Sequence, residues 1–214
     1  MELTMKIALV GATGTIGQRI LEEALSRGHQ VTAIVRDPAR VTKQNENLKA
    51  VAGDVFNADS LAAAAADHDI VISAYGPAHG QEEKLAQAAQ ALVDAAKKAG
   101  VSRLLTVGGA GSLEVAPGVQ LVDTPEFPAE WKGIALAHRD ALEVYRHSEL
   151  DWTNLSPAAL IQPGEKTGQY RTEENRLVTD AEGNSRISAE DYAVAMLDEA
   201  ERPRFSRKRF TVGY

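Results

Sequence analysis

Short apolar runs alternate with segments of helical period over the first two thirds of the chain. Met5–Val10 is apolar apart from Lys6 and is followed at once by glycines. Ile16, Ile20, Ala24 and Leu25 recur at the spacing of one helix face, with Gly28 where a left-handed cap would end that helix. Val31–Val35 and Leu48–Val51 read as the second and third strands. Asp59 or Ser60 is placed to cap a helix through Ala62–Ala66. Ile70–Ser73 is a fourth strand and Arg103–Val107 a fifth; between them Leu85, Ala89, Leu92, Val93 and Ala96 stripe a helix ending at Gly100. Strands that are apolar throughout need cover on both faces, so the pattern predicts a doubly wound α/β domain around a parallel sheet.

The last third is less regular. Gly108–Glu130, rich in Gly and Pro, is too long for a plain connection and is the leading candidate for a functional loop. A helix through Ile134–Tyr145 leads to a sixth strand, Trp152–Leu155, and then to a second long loop, Pro157–Thr167. Ser188 with Asp191 three residues on resembles a capping box, opening a helix to about Glu201 before a last strand, Arg209–Val212. There is no repeat and no boundary, so residues 1–214 read as one domain.

Composition narrows the chemistry. With no cysteine among 214 residues, disulfide scaffolds, thiolate metal sites and cysteine nucleophiles are excluded. Thirty acidic residues against 23 basic ones, a net charge of −7, argue against a nucleic-acid partner. The opening Met1–Lys6 lacks a secretory pattern and no apolar stretch approaches the ~20 residues that span a bilayer. The expectation is a cytoplasmic protein with no membrane partner, a monomer or small homo-oligomer. Asp67-His68-Asp69 precedes a strand and reads as a turn, so no metal is expected. The basic cluster Arg202, Arg204, Arg207, Lys208 and Arg209 reads as a solvated end or a subunit contact.

The sharpest motif is Gly11-Ala12-Thr13-Gly14-Thr15-Ile16-Gly17, between the first strand and the first helix. A dinucleotide pyrophosphate must approach backbone N–H groups at the positive end of a helix. Gly11 permits the tight turn, Gly14 keeps a side chain out of the phosphate path, and Gly17 lets the helix press inward. Thr13, Thr15 and Ile16 complete this cofactor turn. No Lys-Ser/Thr follows, which excludes a nucleoside-triphosphate loop. After the second strand stands Arg36, with Arg40 four residues on, where an acid would hold the two ribose hydroxyls; a guanidinium suits a 2′-phosphate and predicts NADP over NAD. Ligands gather at the carboxyl ends of parallel strands. Asp54 and Val55 should therefore flank the adenine, Ala74, Tyr75 and Gly76 the ribose, and Gly108 and Gly109 the nicotinamide.

These motifs carry a resemblance. GATGTIG, VRDP, GDVFN at Gly53–Asn57 and LDWTNLSPA at Leu150–Ala158 resemble atypical, short NAD(P)-binding members of the short-chain dehydrogenase/reductase superfamily. VGGAGSLEVAPG at Val107–Gly118 and SRISAEDYA at Ser185–Ala193 resemble bacterial NADH-flavin reductases and, more distantly, biliverdin reductase B and NmrA-like dinucleotide sensors. The resemblance implies a Rossmann fold with a small C-terminal extension on the substrate side. It also implies NAD(P)H-dependent reduction of a small-molecule acceptor, with a flavin as the leading candidate; NADP is the preferred cofactor and NAD the other option. A reductase or epimerase with a dedicated small substrate, and a non-enzymatic dinucleotide sensor, are the alternatives. The superfamily's Tyr-x-x-x-Lys pair falls at Ile134 and His138, so neither residue is present. His138 then stands beside cofactor and acceptor as the catalytic candidate, with Ser112 an approximate stand-in for the superfamily's serine. Ser112, His138 and Asp140 also contain the residue types of a hydrolase triad, but no G-x-S-x-G elbow accompanies them.

Overall fold

A computed structural model describes residues 4–214; the first three residues of the opening Met1–Lys6 lie outside it. The first half alternates as expected: β1 (Lys6–Val10), α1 (Thr15–Ser26), β2 (Gln30–Val35), β3 (Leu48–Ala52), α2 (Ala58–Ala65), β4 (Ile70–Ser73), α3 (Lys84–Ala99) and β5 (Arg103–Val107). A hairpin of β6 (Glu114–Ala116) and β7 (Val119–Gln120) precedes α4 (Ala129–Arg146) and β8 (Asp151–Ser156). Then come β9 (Leu160–Gln162), β10 (Arg171–Glu173), β11 (Arg186–Ser188), α5 (Ala189–Glu201) and β12 (Lys208–Gly213).

Seven strands run parallel in the order β3-β2-β1-β4-β5-β8-β12, and β10 lies antiparallel at the far edge. This is a Rossmann-like α/β fold. Strand order reverses beside β1, whose neighbours are β2 and β4, and this opens a crevice at the carboxyl ends. Side chains alternate between two buried layers: Ile7 and Leu9 join the core beneath α1 and α5, Ala8 and Val10 the core beneath α2, α3 and α4. Because both faces of β1 are buried, the strand is apolar without alternation.

Several local expectations shift. Asn57, not Asp59 or Ser60, caps α2: its side-chain oxygen accepts the Ser60 N–H at 3.0 Å. The helix therefore begins at Ala58, before the alanine run. Gly100 closes α3 in the left-handed region, φ +71°. The long stretch after β5 is not a bare loop but contains the β6–β7 hairpin and a short 3-10 turn, Leu121–Asp123. The helix α4 begins five residues before Ile134, because Pro128 sets its entry and Gly133 in its first turns hides the apolar period. Pairing of β9 with β11 and the edge strand β10 went unread, since three-residue strands carry no period of their own.

Ser188 caps α5 by accepting the Asp191 N–H at 2.9 Å. The return half of the capping box is absent: Asp191 instead accepts the N–H groups of Thr167 and Gly168 and the hydroxyls of Thr167 and Tyr214. This pins the second long loop and the last residue of the chain to the helix.

Candidate functional site

The turn after β1 is shaped by contacts that only glycine allows. Gly11 sits at φ +82°, and a Cβ there would lie 2.7 Å from the Ala74 carbonyl oxygen and 2.9 Å from Tyr75 N. The turn thus presses directly on the chain leaving β4. A Cβ on Gly17 would lie 2.0 Å from the Gly11 carbonyl oxygen, so this glycine lets the helix close on its own turn. Gly14 differs. It precedes α1 in extended geometry, and a Cβ there would meet only the Gly11 oxygen, at 3.6 Å. The folded chain has room at position 14; what a side chain would occupy is the space in front of the helix.

No side chain among the described residues caps α1. The Gly14 N–H donates to the Gly11 carbonyl at 3.2 Å and the Gln18 N–H to the Gly14 carbonyl at 2.9 Å. The Thr15, Ile16 and Gly17 N–H groups between them have no backbone partner among the described residues. Unpaired donors at the positive end of a helix, with an open approach across Gly14, fit an anionic group such as a pyrophosphate.

At the end of β2, Arg36 and Arg40 are exposed and neither has an ion-pair partner among the described residues. Asp37 between them caps the 3-10 turn Pro38–Arg40, accepting the Ala39 N–H at 3.1 Å. Asp54 likewise turns inward to its own loop, accepting the Phe56 N–H at 3.0 Å, and Val55 is buried. Phe56, not singled out from sequence, is 43% exposed and meets Tyr75 edge to face at 5.7 Å. Burial pushes the Tyr75 phenol up, Asp54 and Glu83 add to this, and the nearby Arg36 charge opposes it. Arg36, Asp54, Phe56 and Tyr75 thus gather on one side of the crevice, while Ala74 packs under Gly11 and Gly76 is exposed.

At the end of β5 the chain passes under α4. A Cβ on Gly108 would lie 2.3 Å from Asn154 Oδ1, and one on Gly109 would lie 2.8 Å from His138 Cγ. Behind His138 is a cavity of about 10 Å³, room for about one water, lined by Ser73, Tyr75, Thr106, Tyr145 and Asn154 among others. The Asn154 amide donates to Thr106 Oγ1 at 2.9 Å. Burial pushes the Tyr145 phenol well up and the His138 imidazole down to about 4. His138 is therefore neutral at ordinary pH.

Ser112 is not part of this arrangement. It is buried away from the cavity and accepts an N–H from Arg209 at 2.8 Å. Asp140 is exposed, so the triad types do not converge. Arg209 itself corrects the reading of a solvated basic end: Arg202, Arg204, Arg207 and Lys208 are exposed, but Arg209 is buried. Its guanidinium donates to Ser112 and Asn175 and has no carboxylate partner among the described residues, so burial pushes its pKa down to about 10, with Arg146 adding and Glu114 opposing. The strand β12 is buried from Arg209 onward, and Arg209, next to the exposed Lys208, carries no mark in the sequence that separates it from the basic residues before it. Asp67 turns the chain at φ +63°, His68 bonds to the Ala66 carbonyl and the Thr32 hydroxyl, and Asp69 accepts the Lys6 N–H.

The comparisons with known proteins bear on this crevice. A family profile described as NAD(P)H-binding matches residues 11–203, from the first glycine of the turn to the end of α5. The chain belongs to the NAD(P)H-binding family. Within reach of this family, the uncharacterized protein YwnB of Bacillus subtilis is 43% identical over 212 residues, covering 97% of this chain and 98% of its own. A proposed exported protein of Burkholderia pseudomallei is 55% identical with TM-score 0.91, over 99% of this chain and all of that one. A proposed NADH-flavin reductase of Streptococcus pneumoniae is 35% identical with TM-score 0.86, over 98% and 99% of the two chains. No helix among the described residues is long and apolar enough to cross a membrane.

Proposed function

We propose that this NAD(P)H-binding protein is an NADPH-dependent reductase that passes hydride to a loosely held planar acceptor, a flavin in the first instance. The observation that carries the reading is the state of α4 beside the crevice. Where the superfamily resemblance would put a tyrosine and a lysine stand Ile134 and a neutral, partly buried His138. Neither is equipped to deliver a proton at neutral pH. The chemistry supported is one in which the acceptor takes its proton from water.

When bound, the nicotinamide cofactor supplies the hydride. The α1 N–H groups and Gly14 hold its pyrophosphate, and Arg36 with Arg40 reads the 2′-phosphate. Gly108 and Gly109 leave room for Asn154 and His138 and form the floor under the nicotinamide at the end of β5. Positioning supplies most of the acceleration in such a site. The name of the Streptococcus pneumoniae relative supports the flavin as acceptor.

The test is to mix protein, NADPH and FMN and follow nicotinamide absorbance. Catalysed oxidation that needs FMN supports the proposal. Tight NADPH binding with no oxidation by FMN or other planar acceptors would leave a dinucleotide sensor instead.

A further inference from the structure

We infer that Trp131 is the platform against which the acceptor ring lies, a specificity-determining residue; the inference rests on the reductase reading above. Trp131 is 60% exposed, more than Phe56, Val115, Val119 or Leu160. An indole left open on a helix offers a flat apolar face on which a planar ring can stack.

Its position in α4 gives the partner. Trp131 and His138 are seven residues apart, so they differ by only about 20° around the helix and by about 10 Å along it. His138 meets Gly109, and Ala135, on the same side, meets Gly111: the segment leaving β5 runs along this face of α4. Gly133 points elsewhere, toward Glu82. The stripe from His138 past Ile134 to Trp131 therefore lies between the segment leaving β5 on one side and Glu82 on the other. No cation or carboxylate of α4 stands on that stripe. An apolar wall ending in an exposed indole selects a planar heteroaromatic ring over a small polar carbonyl compound. A tryptophan also loses little side-chain freedom on stacking, which suits an acceptor that must leave after each turnover.

The test uses the intact protein loaded with NADP+, so that no turnover occurs, with FMN as the probe. Binding is followed by equilibrium dialysis and by FMN emission, which contact with an indole quenches. Trp131→Leu should weaken FMN binding about tenfold and leave bound FMN bright, whereas Trp131→Phe should retain most of the affinity. In steady state Trp131→Leu should raise KM for FMN about tenfold, with kcat within threefold and NADPH affinity unchanged. An unchanged FMN Kd in Trp131→Leu, or equal quenching of FMN by wild type and variant, overturns the platform. Quenched, Trp131-dependent FMN binding without NADPH oxidation overturns the reductase reading and leaves the platform standing. Catalysed FMN reduction indifferent to Trp131 does the reverse.

Discussion

Gly109 and His138 touch without an intervening side chain: a Cβ on Gly109 would lie 2.8 Å from both Cβ and Cγ of the histidine. The turn after β5 and the middle of α4 are thereby locked together, and the imidazole is partly withdrawn from water. Burial, with no charged partner to offset it, pushes its pKa down to about 4.

A neutral His138 has a kinetic consequence. His138→Ala should lower kcat with FMN by less than about tenfold, against the ~10²–10⁴-fold expected of a general acid. The pH profile of kcat should be flat between pH 5.5 and 8 (roughly the span above the histidine's titration). A loss above a hundredfold at unchanged NADPH affinity would make His138 the proton donor.

The same shift enters stability. The folded pKa lies below the ordinary histidine value, so the unfolded chain takes up the proton first as pH falls. The contribution is complete above about pH 6.5 and is lost progressively toward pH 4, on the order of 3 kcal/mol over that window. Urea unfolding of wild type and His138→Leu across pH 4–8 (a range of roughly this titration) checks it, since the variant should lack this part of the slope.

Gly14 and Gly17 should fail differently. Gly14→Val should fold and lose dinucleotide binding, because its Cβ meets only one atom, at 3.6 Å, while its methyls fill the approach to the α1 N–H groups. Gly17→Ala should destabilise the fold itself, because its Cβ would lie 2.0 Å from a carbonyl oxygen. Calorimetry with NADPH and a thermal melt separate the two; a stable Gly17→Ala would mean the turn moves easily.

Arg36→Asp should weaken NADPH far more than NADH, by placing a carboxylate where a 2′-phosphate would sit. One charge-assisted bond corresponds to about 10–100-fold in affinity. Equal losses for the two cofactors would show that Arg36 does not read that phosphate.

Asp191 is buried with no ion-pair partner among the described residues. Burial opposes its ionisation, but the hydroxyls of Thr167 and Tyr214 and the N–H groups of Gly168 and Thr167 outweigh this and hold its carboxyl below the usual range. Its contribution is present above the unfolded value near 4 and is lost as pH falls through the lower folded value. Asp191→Asn should cost about 2 kcal/mol or more at pH 7, since an amide NH₂ then faces donors. A melt unchanged from wild type at pH 7 would contradict this.

What the chain alone determined is what local chemistry can express. Short, mostly apolar runs, glycine caps at 28 and 100 and the glycine turn at 11–17 each act over a few residues, so they specified a doubly wound sheet and a tight turn at its first strand–helix junction without tertiary information. What only the tertiary structure decided involves residues far apart in sequence. Whether Arg209 is solvated or buried depends on Ser112 and Asn175, 97 and 34 residues away, closing over it. Whether His138 can carry a proton depends on how tightly Gly109 lets the β5 turn approach α4. Helical spacing alone aligns Trp131 with His138, but it took the packing of the β5 segment to show which face of α4 that segment meets. Burial and desolvation are properties of assembled neighbours, so they set the charge and accessibility of the site in ways no short stretch of sequence records.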